Sequence, residues 1–228
     1  MPEKPCWLLC SPMLFCKNLE EIRSPRRGEI LRIMADKSTS TEGKQAGAKA
    51  AEAAEAPPRK IYPIVKYGDP VLEKPGAVIK KFDSELEELA EDMFASMYAA
   101  QGVGLAAPQI GKSIRLAVVD VSAGKNPEAK IVLVNPEIIH AEGEVREEEG
   151  CLSIPGFRGY VVRPQFVTVR AQNAKGETFE IRGENLLARA FCHEIDHLNG
   201  ILFLQHLSML KRDLIRRKIK KMRKEGEW

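Results

Sequence analysis

The stretch 192–200 constrains this chain more than any other, because it contains the pattern His-Glu-x-x-His. Residues four apart lie on one face of a helix, so His193 and His197 can bind the same metal ion. Glu194 adjoins the first histidine, and from there its carboxylate can reach a water on that metal. The pattern therefore predicts a metal-binding helix that carries a candidate general base. The alternative is an ordinary helix with chance histidines.

A catalytic metal site of this kind needs a third protein ligand and one open position. An extended zinc-protease pattern would place a third histidine at position 203, but Phe203 stands there and His206 comes three residues too late. Cys151 is the candidate third ligand, and its alternative role is that of a small buried residue. Cys192 is a weaker candidate, because neighbouring helical side chains point ~100° apart.

Composition excludes several classes of protein. The chain has 228 residues, of which 44% are hydrophobic and 29% are charged, as in ordinary soluble globular proteins. A net charge of +3 is too small to indicate nucleic-acid binding by itself. The five cysteines follow no disulfide pattern and fit a reducing compartment. No apolar run reaches the ~20 residues that span a bilayer, so no membrane association is expected.

The chain divides into two regions of different composition. Residues 1–60 are predicted to be a disordered or irregular N-terminal extension and linker, because residues 44–60 are nearly all Ala, Glu, Lys, Gly and Pro. We expect residues 1–33 to be a gene-start error, with translation beginning at Met34. If they are real, import into an organelle is the alternative to the bacterial cytoplasm. Residues 61–228 are predicted to form one catalytic domain.

Local patterns predict the order of elements. A strand is expected at Ile61–Tyr67, and a capping box at Ser84 begins a helix that ends near Ala100. Further strands are expected at 114–121 and 130–134, and a hairpin at 166–182; the acidic stretch 144–149 shows only hints of a two-residue period. Asn185 is the expected N-cap of the His-Glu helix and Gly200 its end. The predicted fold class is α+β, with mostly antiparallel strands packed around a central metal-binding helix.

A basic helix is predicted from Ser208 to about Lys224. Between Lys211 and Lys224 the chain has nine Lys or Arg residues and one acid, Asp213. Such a run is usually a solvated face. Its uniform sign also fits an anionic partner such as RNA.

Three stretches together resemble peptide deformylase. Gly-x-Gly-Leu-Ala-Ala-x-Gln is matched at 102–109, Glu-Gly-Cys-Leu-Ser at 149–153, and His-Glu-x-x-His-Leu-x-Gly at 193–200. By themselves the glycines at 102–109 indicate only close backbone approach to a ligand or a tight connection. The resemblance covers 61–228. One departure is Cys192, where the family commonly has Gln, and it is expected to add an oxidisable thiol beside the site.

The resemblance implies removal of the formyl group from N-formylmethionine at the start of nascent polypeptides, with release of formate. It implies that Cys151, His193 and His197 hold one divalent metal ion. This ion would be Fe²⁺ in the cell, although the same ligands accept Zn²⁺, Ni²⁺ or Co²⁺. It further implies contact between the basic C-terminal helix and the ribosome. We expect a monomer.

The remaining roles also come from the resemblance. Glu194 is the general base, and the amide of Gln109 and the backbone N–H of Leu152 stabilise the oxyanion. Val103 and Gly104 pair with the substrate backbone. Two rival functions stay open from the sequence: a zinc endopeptidase, and a metal-binding protein without catalysis.

Overall fold

The computed structural model describes residues 59–228, and the expectations about residues 1–58 lie outside this range. The described helices are α1 (Ser84–Ala99), α2 (Asn185–Leu198) and α3 (Met209–Glu225). The described strands are β1 (Gly104–Ala106), β2 (Leu116–Val119), β3 (Ile131–Glu142), β4 (Val145–Gly150), β5 (Arg158–Arg163), β6 (Phe166–Gln172) and β7 (Thr178–Glu184). The α+β prediction is confirmed.

The strands form two antiparallel sheets. Five of them lie in the order β1-β2-β3-β6-β7, and β4 pairs with β5 in a separate two-stranded sheet. The predicted hairpin is present as β6 and β7, with Phe166 opposite Glu184 and Gln172 opposite Thr178. The short strand β1 lies at the edge of the large sheet and pairs with β2, with Gly104 opposite Val119. This edge position leaves one side of β1 open to a ligand.

The segment Ile61–Tyr67 is not a strand, so that prediction was wrong. It is extended, but its N–H groups donate to turns instead of to a neighbouring strand. The N–H of Val65 donates to the carbonyl of Gln109 and that of Tyr67 to the carbonyl of Ser153, both at 2.8 Å. An apolar pattern cannot distinguish these two kinds of partner, because the hydrogen-bond acceptors lie far away in the sequence.

The N-cap of helix α1 lies one residue before the predicted one, Ser84. The N-cap is Asp83, whose carboxylate accepts from the N–H of Leu86 at 3.1 Å, and Ser84 is the first helical residue. Both residue types are good N-caps, so local sequence leaves the choice open. The helix packs its apolar face onto the sheet through Leu86, Met93, Phe94 and Met97.

Helix α2 follows β7 without a loop. Asn185 is its first residue rather than its N-cap, with a φ of +49°, and no side chain caps the helix start. The N–H of Asn185 instead donates to the carbonyl of Gln165 at 2.9 Å. Gly200 lies just beyond the helix with a φ of +75°, as predicted. The buried face of α2 packs on β1, β2, β3 and β6 in one apolar cluster.

Helix α3 matches its prediction to within one residue and is capped by Ser208, whose hydroxyl accepts from the N–H of Lys211. Only some of its apolar side chains are buried. Ile215 and Ile219 are buried, whereas Leu210 and Leu214 are 73% and 54% exposed. No helix in residues 59–228 combines the length and apolar character needed to cross a bilayer.

Candidate metal and catalytic site

The three predicted ligands meet at one place. His193 and His197 lie one turn apart on α2, with ring centroids 4.9 Å apart, and Cys151 directly follows β4. Their ligand atoms all lie within 4.8 Å of one another, and Cys151 Sγ is 3.2 Å from His197 Nε2. One ion with bonds of about 2.0–2.3 Å can therefore be shared by the thiolate and the two imidazoles.

The electrostatics of the histidines fit a cation. Burial opposes a positive charge on His193, but its contacts with Cys151 and Glu149 outweigh burial and hold its pKa well above the ordinary value. The carboxylate of Glu149 stabilises any cation at the site, whether a proton or a metal ion. Burial and repulsion from His193 lower the pKa of His197, which favours its neutral, metal-binding form. A Cys-His-His donor set suits iron, nickel, cobalt and zinc alike.

Glu149 orients the first histidine. Its buried carboxylate lies 3.3 Å from His193 Nδ1, which leaves Nε2 free to face the other ligands. The same carboxylate accepts from Arg163 Nε at 2.9 Å and from Arg189 Nη1 at 2.7 Å. Burial alone would raise the pKa of Glu149, yet its hydrogen bonds to His193 and Arg163, together with the charges of those two groups, hold it well below its ordinary value. Glu149 is therefore charged at neutral pH.

This ionic cluster continues to the surface of the domain. Arg163 Nη1 donates to Asp196 Oδ2 at 2.6 Å, and the same oxygen lies 2.7 Å from His206 Nε2. Sequence reasoning missed these contacts. Glu149 stood inside a recognised motif, but Arg163 and Arg189 are separated from it by 14 and 40 residues. No spacing pattern in the sequence identifies residues at such separations as partners of Glu149.

Glu194 lies against the backbone of β1. A Cβ atom at Gly104 would lie only 2.3 Å from Glu194 Oε1, so the glycine permits the carboxylate to enter the site. Glu194 is 4% exposed, and its Oε2 has no hydrogen-bond partner among the described residues. Burial raises its pKa to about 7. A carboxylate with that proton affinity can accept and return a proton near neutral pH.

Gln109 is oriented by the chain that precedes it. Its Oε1 accepts from the N–H of Ala106 at 2.8 Å, which turns its Nε2 towards Ser153 Oγ at 3.4 Å and Cys151 Sγ at 3.7 Å. The amide donor thus faces Cys151, one of the three candidate ligands. Leu152 follows Cys151 and lines the same cleft.

The cleft has a volume of about 700 Å³. Among the predicted residues, it is lined by Val103, Gly104, Gln109, Cys151, Leu152, His193 and Glu194. His197 lies behind this surface and is 1% exposed. Leu186 and Ala190 of α2 add apolar lining. Since β1 is an edge strand, the backbone at Val103 and Gly104 can pair with an extended peptide.

Cys192 lies outside the ligand cluster. It is 4% exposed and packs in the apolar core around α2, as the ~100° turn per residue predicts. Burial raises the pKa of its thiol to about 11. The expectation of an easily oxidised thiol therefore needs correction, because oxidation requires exposure and thiolate character.

Comparison with known proteins identifies the family. Residues 61–213 match the family model described as polypeptide deformylase. The peptide deformylase of Acidobacterium capsulatum is 61% identical over 168 residues, covering 74% of this chain and 99% of the relative. That of Thermodesulfovibrio yellowstonii is 48% identical over 160 residues, covering 70% and 97%.

Solved structures agree with the sequence matches. The crystal structure of a peptide deformylase from Legionella pneumophila has 49% identity and a TM-score of 0.68, covering 73% of this chain and 97% of that one. Arabidopsis thaliana peptide deformylase 1B, in complex with an inhibitor, has 41% identity and a TM-score of 0.67, covering 72% and 91%. The chain therefore belongs to the polypeptide deformylase family.

Proposed function

We propose that the cleft between β1 and α2 carries out the family's reaction with the residues described above. That reaction is the metal-dependent hydrolysis of the formyl group on nascent polypeptides, which yields formate and a free α-amine. One observation carries the assignment of roles. A buried glutamate with an unpartnered oxygen lies beside a Cys-His-His cluster, and an oriented amide donor faces the same cluster.

Cys151, His193 and His197 would hold one divalent ion. When bound, this ion supplies Lewis acidity that polarises the formyl carbonyl and lowers the pKa of water. We propose Fe²⁺ as the ion in the cell, and the same ligands also accept Zn²⁺, Ni²⁺ or Co²⁺. Glu149 supports the site by holding His193 in the tautomer that presents Nε2.

Glu194 moves the proton. It takes a proton from the attacking water as the water oxygen bonds to the formyl carbon. It then gives this proton to the leaving nitrogen as the C–N bond breaks. A pKa of about 7 suits both transfers, because a stronger acid would accept the proton poorly and a weaker acid would release it poorly.

Gln109 and Leu152 stabilise the negative charge that develops on the formyl oxygen. The amide of Gln109 is already oriented by its bond to the N–H of Ala106, so little reorganisation is needed during the reaction. The backbone N–H of Leu152 supplies a second donor. The substrate backbone pairs along Val103 and Gly104, and its methionine side chain lies against Leu152 and Ala190.

Formate release from formyl-Met-Ala-Ser tests this function. Protein prepared without oxygen is expected to release formate, and both Glu194→Ala and Cys151→Ala are expected to abolish release. Glu194→Ala should retain metal, whereas Cys151→Ala should bind it poorly, which separates a base from a ligand. Cleavage of unformylated peptides, with no formate from metal-loaded protein, would support a zinc endopeptidase instead.

The identity of the ion is tested by comparing aerobic and anaerobic preparations. If Fe²⁺ is native, aerobic protein loses activity through oxidation of the iron or of Cys151, and nickel or cobalt substitution restores it. Equal activity in both preparations would contradict iron.

We further propose that α3 contacts the ribosome and that the protein acts as a monomer in the bacterial cytoplasm, with residues 61–228 as its catalytic domain. The support is the run of nine basic residues between Lys211 and Lys224, which suits an RNA surface.

Charge reversal at Arg216, Arg217, Lys220 and Lys221 should reduce co-sedimentation with ribosomes. Reversal of Lys175 and Arg182, on the β6–β7 side, is the control. Equal co-sedimentation of both variants and the wild type would refute the contact.

A further inference from the structure

The wall of the cleft beyond the ligand Cys151 is a tight turn. The N–H of Ile154 donates to the carbonyl of Cys151 at 2.9 Å, and the N–H of Phe157 donates to the carbonyl of Ile154. Residues 154–157 all line the cleft, and the side chain of Ile154 is fully buried. The position of this turn therefore sets the width of the cleft away from the reacting group.

Phe157 packs against the C-terminal part of the chain. Its ring centroid lies 6.1 Å from that of Trp228, with the rings tilted by 57°. Lys218 Nζ, on α3, lies 5.5 Å from the centre of the Phe157 ring. Tilted aromatic pairs and cations near an aromatic ring are both attractive arrangements. Phe157 thus lines the cleft and also contacts groups that belong to or follow α3.

The position of Trp228 is set by a backbone turn after α3 and by a hydrogen bond of its own side chain. Gly226 adopts a left-handed φ of +74°, and the N–H of Glu227 donates to the carbonyl of Met222 at 2.9 Å, which reverses the chain after α3. Trp228 Nε1 then donates to the carbonyl of Tyr67 at 3.2 Å. The N–H of Tyr67 donates to the carbonyl of Ser153 at 2.8 Å. Trp228 is therefore linked to the same turn through the ring of Phe157 and through Tyr67.

We propose that Trp228 is a positioning residue that fixes Phe157 and thereby the cleft wall facing the peptide beyond the formylmethionine. This inference rests on the proposed function. A cleft of about 700 Å³ exceeds the needs of one residue, so the following residues of the substrate extend along this wall. The described contacts of the Trp228 side chain are with Phe157, Tyr67 and Lys66, none of which is a proposed catalytic group. Its loss should weaken peptide binding and leave the chemical step intact.

The kinetic test compares two substrate lengths in the full-length, metal-loaded protein. For formyl-Met-Ala-Ser, Trp228→Ala should raise KM about fivefold and change kcat less than about twofold, from the range for aromatic pairs. For formyl-Met-Ala the rise in KM should be smaller. Trp228→Phe keeps an aromatic ring and should restore most of the loss. Leu214→Ala, an exposed position on α3, is the matched control and should change neither constant.

Two kinetic results would overturn the inference. One is an unchanged KM in Trp228→Ala. The other is an equal loss of kcat for both substrates, which would indicate general damage to the fold. If the wild type released no formate, the proposed function would fail by itself, and a measurement without turnover would still test the role of Trp228.

Fluorescence provides that measurement, because the chain has only two tryptophans. In Trp7→Phe protein the emission comes from Trp228 alone. Titration with the deformylated peptide Met-Ala-Ser should shift this emission, since peptide contact with Phe157 alters the surroundings of the adjacent indole. Binding detected by calorimetry with unchanged emission would overturn the inference.

Discussion

Replacing Glu149 by Gln is expected to damage both the stability of the domain and its affinity for metal. The carboxylate accepts from Arg163, Arg189 and His193 at distances of 2.7–3.3 Å, and its side chain is 4% exposed. Gln keeps the size of the side chain but removes the charge. Its NH₂ group also faces donors, so one arginine or His193 loses its acceptor.

The magnitude follows from the burial of the cluster. Removing one partner of a buried ion pair costs about 3–5 kcal/mol, because the remaining charge stays buried without compensation. Two buried arginines remain after the change. Arg163 keeps Asp196 at 2.6 Å, whereas Arg189 keeps only Glu147 at 3.2 Å, whose side chain is 54% exposed. We therefore expect a loss of about 3–5 kcal/mol in the free energy of unfolding.

Urea unfolding in the presence of a chelator measures this loss. The chelator is needed because a metal that binds only the folded state adds stability of its own. The matched control is Glu180→Gln, since Glu180 pairs with Arg170 at 3.0 Å and both side chains are about half exposed. An exposed pair contributes about 0–1 kcal/mol. A loss for Glu149→Gln no larger than that of the control would refute the reasoning.

Metal affinity provides a second, independent result. Without the carboxylate, His193 is no longer held with Nε2 towards the other ligands, and affinity is expected to fall about 10–100-fold. Calorimetric titration of the metal-free variant with nickel measures this change. Unchanged affinity would mean that the packing of α2 alone orients His193.

Three further predictions follow from individual groups. The contribution of Glu149 to stability should be fully present above pH 4.5, its ordinary pKa, and should decline as the pH falls further, because the pKa is depressed in the folded state. A pH-independent difference in the free energy of urea unfolding between wild type and Glu149→Gln would contradict this. Gly104→Ala should displace Glu194 and lower kcat about 100-fold with metal content unchanged; normal kcat would show that the carboxylate can move without loss. Cys192, with a pKa of about 11, should resist iodoacetamide at pH 8 until urea is added. Rapid labelling of Cys192 itself in the folded protein, located by mass spectrometry, would disprove its inertness.

Features that depend on neighbouring residues were predictable. His193 and His197 share a face of α2 because helical geometry repeats within four residues. The β6–β7 hairpin was predictable for the same reason, since its turn and both strands lie within one short stretch. Errors occurred where local signals were equivalent, as with Asp83 and Ser84 at the start of α1.

Other features depend on distant partners. The sequence 61–67 resembles a strand, but its hydrogen-bond acceptors are turns at Gln109 and Ser153. β1 has three residues, too few for a periodic pattern. No spacing could predict that Gly104 must be glycine to admit Glu194, because the two residues meet only after α2 packs against β1.

The candidate ligand types, the helical pair of histidines, the adjacent glutamate and the family resemblance can all be read from the chain, because each is encoded within a few consecutive residues. How these groups lie relative to one another depends on the packing of the whole domain. It brought Cys151 to within 3.2 Å of His197, surrounded Glu149 with two arginines, and placed Trp228 behind the wall of the cleft. These contacts join residues far apart in the chain, and only packing of the whole domain determines their distances.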